Sequence, residues 1–305
     1  MPTRAAIALA VVLIVVASAV AVYHIFYGAG IESTAERKGL LIVVTFPPLE
    51  GDVKALACQN DVVKSLIPPG VDPHMYSLRP SDMELLREAD LIVSTGHTPV
   101  ELRIKELVTS GELKAKLLDI VELKGVRVYV NPVTGKPNYH AILYDPNNYI
   151  LFIEELSRIL SSLRPSCSQH YNLTAASIIE GIEEAVKKVP RIDVAAIADE
   201  PIVQYAVEWA GVRVELVLAA EEELPPTPAL VEKAKTLISS GNAGLVVVVE
   251  GEPTKASSIL AQMAREHGIK ILEVPSPLDP KPFYEKIVDV CARLATLFEG
   301  ANTCT

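Results

Sequence analysis

An α/β fold of two βα lobes, each on a mainly parallel sheet and joined by a single long backbone helix, is what this 305-residue sequence predicts. Three observations predict it. Short unbroken apolar runs, such as 40–45 (Leu-Leu-Ile-Val-Val-Thr), alternate with longer amphipathic segments, as strands buried on both faces of a parallel sheet require. The alternation stops at Pro165 and restarts beyond Pro190. Between the two prolines, residues 168–188 read as one helix of about six turns at 3.6 residues per turn.

Taken in order, a polar linker (28–38) leads into a strand at 40–45, a helix at 47–58, a strand at 62–67 and a helix at 81–88. A strand at 91–94, a helix at 99–107, and short strands near Leu117 and over 126–130 follow. A turn-rich loop (131–139) precedes a strongly amphipathic helix at 146–163. After the linking helix come a strand at 192–198, a helix at 201–210, a strand at 212–218 and a helix at 227–239. A strand at 245–250, a helix at 255–267, a strand at 270–274 and a helix at 283–298 complete the chain. The expected units are therefore an N-terminal segment (1–38), a first lobe (39–167), the linking helix (168–190) and a second lobe (191–305). Ligands of such sheets sit beyond the carboxyl ends of the strands. The cleft is expected between the lobes, and a helical connection implies only a small closure.

Residues 5–22 carry no charge and follow Arg4. That length is the lower limit for a membrane span and also fits a signal-peptide core. Either reading exports the rest of the chain, attached to the cell membrane by an N-terminal anchor or secreted after cleavage. The first cysteine after this run is Cys58, so a lipid-bearing N-terminal cysteine is not expected. The formal net charge of -10, with 28 scattered basic residues, argues against nucleic acid as a partner. Four cysteines (Cys58, Cys167, Cys291, Cys304) form no C-x-x-C pair, which excludes a zinc ribbon. In an exported chain they allow three disulfide pairings, among them Cys58 with Cys167 and Cys291 with Cys304. Residues 133–137 lack the upstream glycine and the hydroxyl residue of a phosphate loop.

Residues 70–82 (Gly-Val-Asp-Pro-His-Met-Tyr-Ser-Leu-Arg-Pro-Ser-Asp) hold His74 in a proline-stiffened loop between a strand and a helix. His140, Glu200 and Asp279 occupy comparable places, each beside a strand end or a helix start. Two neutral imidazoles and two carboxylates carry -2, so a divalent cation neutralises the set. Mixed nitrogen and oxygen donors without thiolate suit Mn²⁺, Fe²⁺ or Zn²⁺.

The chain resembles the metal-specific substrate-binding proteins of ABC transporters, the zinc/manganese/iron family. Residues 69–76 (Pro-Gly-Val-Asp-Pro-His-Met-Tyr), 80–82 (Pro-Ser-Asp), 89–93 and 96–101 carry the likeness, which runs over about 40–300. The resemblance implies that His74 is the first ligand and His140 the second. The loop after His140 lacks the usual tryptophan and is one residue longer than in the family. Glu200, five residues before Tyr205, stands where zinc-type members have histidine, and glutamate there is similar to the manganese and iron binders. Asp279 fits the fourth position. His97 is not a ligand in the family motif and is expected behind the site or at the surface. The implied activity is capture of a divalent metal ion (Mn, Fe or Zn) and its delivery to a membrane permease by a monomer, without catalysis. A surface metallohydrolase on the same ligands, or an adhesin on the same fold, is the alternative.

Overall fold

The structure, a computed structural model, describes residues 39–219, 225–251 and 253–299. The first sheet joins β1 (Leu41–Val44), β2 (Val62–Ser65), β3 (Leu91–Ser94) and β4 (Lys116–Asp119) in the order β2-β1-β3-β4. Every neighbouring pair is parallel, with Ile42 opposite Val63 on one side and Leu91 on the other. The second sheet repeats the plan with β5 (Val194–Ala198), β6 (Val212–Val217), β7 (Leu245–Val249) and β8 (Lys270–Val274) in the order β6-β5-β7-β8. Ile42, Val44 and Leu91 of the first sheet and Leu245 and Val247 of the second are fully or almost fully buried. Helices on both faces leave these strands no solvated side, which explains their lack of polar alternation. In each sheet the winding direction reverses between the two central strands, β1 and β3 or β5 and β7. That reversal opens a crevice at the strands' carboxyl ends.

The helices are α1 (Glu50–Leu56), α2 (Pro80–Glu88), α3 (Pro99–Thr109), α4 (Pro146–Leu163), α5 (Ser168–Lys187), α6 (Gln204–Val207), α7 (Pro228–Ser239), α8 (Lys255–His267) and α9 (Phe283–Phe298). Proline in the first turn starts α2, α3, α4 and α7, where its missing N–H costs nothing. Asp145 caps α4 by accepting from the amides of Asn147 and Asn148. In sequence α5 joins the two sheets, and it packs against α4, α9 and α1. One continuous core runs from Ile42 and Val93 through Tyr149, Tyr171 and Ile182 to Ala196, Val247 and Ile287. From Gly39 onward the chain forms one compact unit.

Three expected elements differ. The helix at 47–58 is a 3-10 turn (Pro47–Leu49) followed by the shorter α1. The helix at 201–210 is a 3-10 turn (Pro201–Val203), the single turn α6 and a second 3-10 turn (Glu208–Ala210), because Val207 leaves helical geometry at φ -127°. The strand at 126–130 does not form; only an isolated antiparallel bridge joins Val130 and Pro137. Two of its amides go to side chains instead: Arg127 N–H to Asn148 Oδ1 and Tyr129 N–H to the Tyr205 hydroxyl.

Cys58 and Cys167 form a disulfide that closes a separation of 109 residues. Beside it Asp61 accepts from the Arg164 guanidinium, the Tyr171 hydroxyl and the amides of Leu40 and Cys58. Burial works to raise the Asp61 carboxyl pKa, but these donors together hold it below the usual range. Cys291 is a free thiol, buried in the α9 core. Cys304, the apolar run 5–22 and the acidic triplet 221–223 lie outside the described residues. Among those described, no helix is long and apolar enough to cross a membrane.

Candidate metal centre

A cavity of about 370 Å³ opens where the carboxyl ends of the two sheets face each other. The first lobe lines it with the loops after β1, β2 and β3 and the segment before α4. The second lobe contributes Ile202, Pro277 and Leu278, with Phe283 at the start of α9.

Three histidines meet on the first-lobe wall. One ring nitrogen from each of His74, His97 and His140 lies within 4.8 Å of the other two. Ring centroids are 5.6 Å apart for His74 and His97, 5.7 Å for His74 and His140, and 5.6 Å for His97 and His140. Separations of this order let three nitrogens converge on one ion at about 2.0–2.1 Å each after small side-chain adjustment.

His74 sits at the end of the loop after β2. Asp72 Oδ1 accepts its backbone amide at 2.8 Å, an Asx turn that fixes the chain while the ring stays exposed. The loop is anchored beyond the histidine too, since the Tyr76 hydroxyl donates to Asp82 and accepts from Arg79.

His140 precedes Ala141, whose φ of 52° places a residue with a Cβ in the left-handed region. Asn138 holds this turn. Its Oδ1 accepts the His140 amide at 3.0 Å and lies 3.2 Å from Nδ1, while its Nδ2 donates to Pro201 O and Gln204 Oε1. Because both amide hydrogens are used across the cleft, the oxygen must face the histidine. It therefore takes the Nδ1 proton, which makes Nε2 the lone-pair nitrogen of His140.

His97 follows β3 through Gly96, whose φ of 84° and close approach to Asp119 suit glycine. A Cβ on Gly96 would lie 1.7 Å from Asp119 Oδ1. The His97 Nδ1 is 2.9 Å from the Thr95 hydroxyl, which itself donates to Glu101. Burial pushes the imidazole pKa down to about 4, with Glu101 opposing and the other two histidines adding to the depression. The ring is therefore neutral at neutral pH, the form that binds metal. Tyr139 stacks on its other side at 6.1 Å.

Of the four ligands expected from sequence, the structure brings His74 and His140 together and adds His97, which the sequence reading placed outside the set. Glu200 and Asp279 stand outside this three-histidine group. Glu200 directly follows β5 at the entry to the Pro201 turn, and its amide donates to buried Asp199. Asp279 lies in the loop between β8 and α9, where its Oδ1 accepts the Lys281 amide at 2.8 Å. The buried Lys286 ammonium donates to the carbonyls of Pro277 and Asp279 and so pins that loop. The adjacent residues Ile202 and Leu278 line the cavity, so both carboxylates belong to loops that face it. One signal in the sequence pointed to His97: it occupies the carboxyl-end loop of a central strand, four residues before an acid.

As a donor set, three imidazoles without thiolate fit a borderline divalent transition metal, and the Glu101 carboxylate stands behind the His97 ring, 3.8 Å from its Nδ1.

Known proteins resemble the chain over most of its length. Residues 42–290 match the family described as zinc-uptake complex component A, periplasmic. The iron-binding protein YfeA of Yersinia pestis is 22% identical over 266 residues, covering 83% of this chain and 84% of that protein. A putative metal-binding protein of Thermotoga maritima is 48% identical over 58 residues, 19% of this chain, and the chain spans only 22% of its length. Among solved structures, the substrate-binding protein FpvC from Pseudomonas aeruginosa in complex with Mn²⁺ superposes with a TM-score of 0.67 at 18% identity. That match covers 87% of this chain and all of the other, and it shows a shared fold. With a family match that spans most of its length, the chain belongs to the zinc-uptake component A family of periplasmic metal-binding proteins.

Proposed function

We propose that this chain is the extracytoplasmic substrate-binding component of an ABC transporter, which captures a divalent transition metal (Mn, Fe or Zn) and delivers it to a membrane permease. The observation that carries the reading is the convergence of His74, His97 and His140 in an interlobe cavity, two of the rings held by hydrogen bonds to Thr95 and Asn138. His74, His97 and His140 supply nitrogen. Glu200 and Asp279, on the loops of the facing wall, supply the negative charge that a captured dication needs. The site is assembled within one chain, which suits a monomer. Retention near the permease by the segment 1–38 would raise the local concentration of carrier.

Metal-free protein titrated with Mn²⁺, Fe²⁺ and Zn²⁺ tests the reading, with bound metal counted after dialysis. The expected result is one dication per chain and no turnover on a panel of ester, peptide and phosphate substrates. Turnover well above background would favour the metallohydrolase alternative, and no retained metal would end the carrier reading.

A further inference from the structure

We propose that His97 is the selectivity-determining donor of this site and Glu101 its positioning residue, so that the cargo is a nitrogen-preferring dication of the zinc type rather than Mn²⁺. The inference rests on the substrate-binding reading above and sharpens it.

Glu101 is 1% exposed, on the first turn of α3. A capping box needs only one of its oxygens, turned back to the Thr98 amide. Here the carboxylate also accepts from the hydroxyls of Thr45 (2.7 Å), Thr95 (2.9 Å) and Thr98 (2.9 Å), and from the amides of Thr95 (2.7 Å) and His97 (3.1 Å).

Six N–H and O–H donors converge on the two Glu101 oxygens, so the carboxylate acts as acceptor and the single Thr95 hydroxyl proton goes to it. The Thr95 oxygen then accepts from His97 Nδ1–H, which leaves the Nε2 lone pair of His97 for a ligand. The buried anion lies 3.8 Å from Nδ1 and makes the ring a stronger base towards metal. A carboxylate, a hydroxyl and an imidazole in line form an outer support for a metal ligand.

A third imidazole changes which ions the site prefers. Imidazole suits zinc, copper, iron and nickel, whereas Mn²⁺ favours carboxylate, carbonyl and water oxygens. The two-nitrogen set read from sequence leans towards Mn²⁺ and Fe²⁺. A three-nitrogen wall leans the other way, with Zn²⁺ first and Co²⁺ and Ni²⁺ as binding surrogates.

The test is competitive titration of the metal-free full chain with Zn²⁺ and Mn²⁺, alongside His97→Gln, Thr95→Val and Glu101→Gln, with the visible spectrum of the Co²⁺ form as a second readout. Wild type is expected to prefer Zn²⁺. His97→Gln should cut Zn²⁺ affinity by more than about tenfold and leave Mn²⁺ affinity nearly unchanged, so that the preference collapses. Loss of an outer support typically costs about 10–100-fold in affinity, so Glu101→Gln and Thr95→Val should weaken Zn²⁺ and shift the Co²⁺ bands. A purely structural role for Glu101 would lower the melting temperature without moving the Zn²⁺ to Mn²⁺ ratio. Should Glu101→Gln fail to fold, Thr95→Val and His97→Gln carry the test. An unchanged ratio in His97→Gln, with wild type binding metal, would overturn this inference and leave the carrier reading standing. A wild type that binds neither ion would sink both.

Discussion

The two walls of the cleft are built from the same topology and do different work. Both are the carboxyl-end loops of a four-stranded parallel sheet with one reversal of winding. The first-lobe wall presents three nitrogen donors, with His97 and His140 braced by Thr95, Glu101 and Asn138. The second-lobe wall presents apolar cover, Ile202, Pro277 and Leu278, with Glu200 two residues before Ile202 and Asp279 one residue after Leu278. Repeating a scaffold therefore does not repeat a site. On the proposed reading, one wall is prepared for the ion before it arrives, and the other covers it and balances its charge.

Removing a first-wall ligand should have the largest effect. His140→Ala is expected to lower metal affinity at least about hundredfold, the upper end of what loss of an outer support alone costs. Glu200→Ala on the facing wall should cost only about tenfold, or 1.4 kcal/mol. Calorimetric titration of both variants checks the order, and a larger loss from Glu200→Ala would reverse the roles assigned to the walls.

The scaffold beneath the first wall differs as well, because the described disulfide lies there and Cys291 of α9 is unbridged. Replacing Cys58 and Cys167 together with serine should cost about 2–4 kcal/mol of stability, as for other long-range disulfides. The urea midpoint reads this loss, and metal affinity of the folded variant should stay as in the parent. A matching fall in affinity would mean that the staple shapes the site.

A subtler effect concerns Asp52 of α1, which accepts from the Tyr149 hydroxyl and from the Phe283 amide at the head of α9, so that it bridges both lobes. Burial pushes its carboxyl up to about 7, against 3.8 for an ordinary aspartate. Between those values the folded chain holds a proton that the unfolded chain has lost. This group's contribution to stability is therefore greatest below about pH 4, falls as pH rises towards 7, and is flat above. Asp52→Asn should flatten that part of the pH profile of the urea midpoint. An identical slope in both proteins would remove Asp52 as its source.

Much of the architecture was legible in the sequence because its strands are buried on both faces. β1, β3, β7 and β8 appear as apolar runs whose ends fall within one residue of their observed limits. Pro146 at the start of α4, and Pro165 and Pro190 on either side of α5, marked those helices equally well. The segment 126–130 misled because its amides are taken by Asn148 and Tyr205, partners 21 and 76 residues away that no local pattern reveals. The site was legible in part for the same reason. His74 and His140 stand in segments with recognisable neighbours, whereas His97 joins them only through the folding of three loops. The sequence located Glu200 and Asp279 correctly beside strand ends, but how far an acid reaches is a property of the assembled cleft.

The amide of Asn138 has a mechanical consequence. One of its ends grips the His140 ring, while the other grips the Pro201 carbonyl and Gln204, on the segment that opens directly after Glu200. Tilting that imidazole therefore tugs on the opposite lobe through a single rigid plane of atoms. A shift of the His140 ring on taking up an ion would therefore reach the Pro201 turn of the far wall through one side chain.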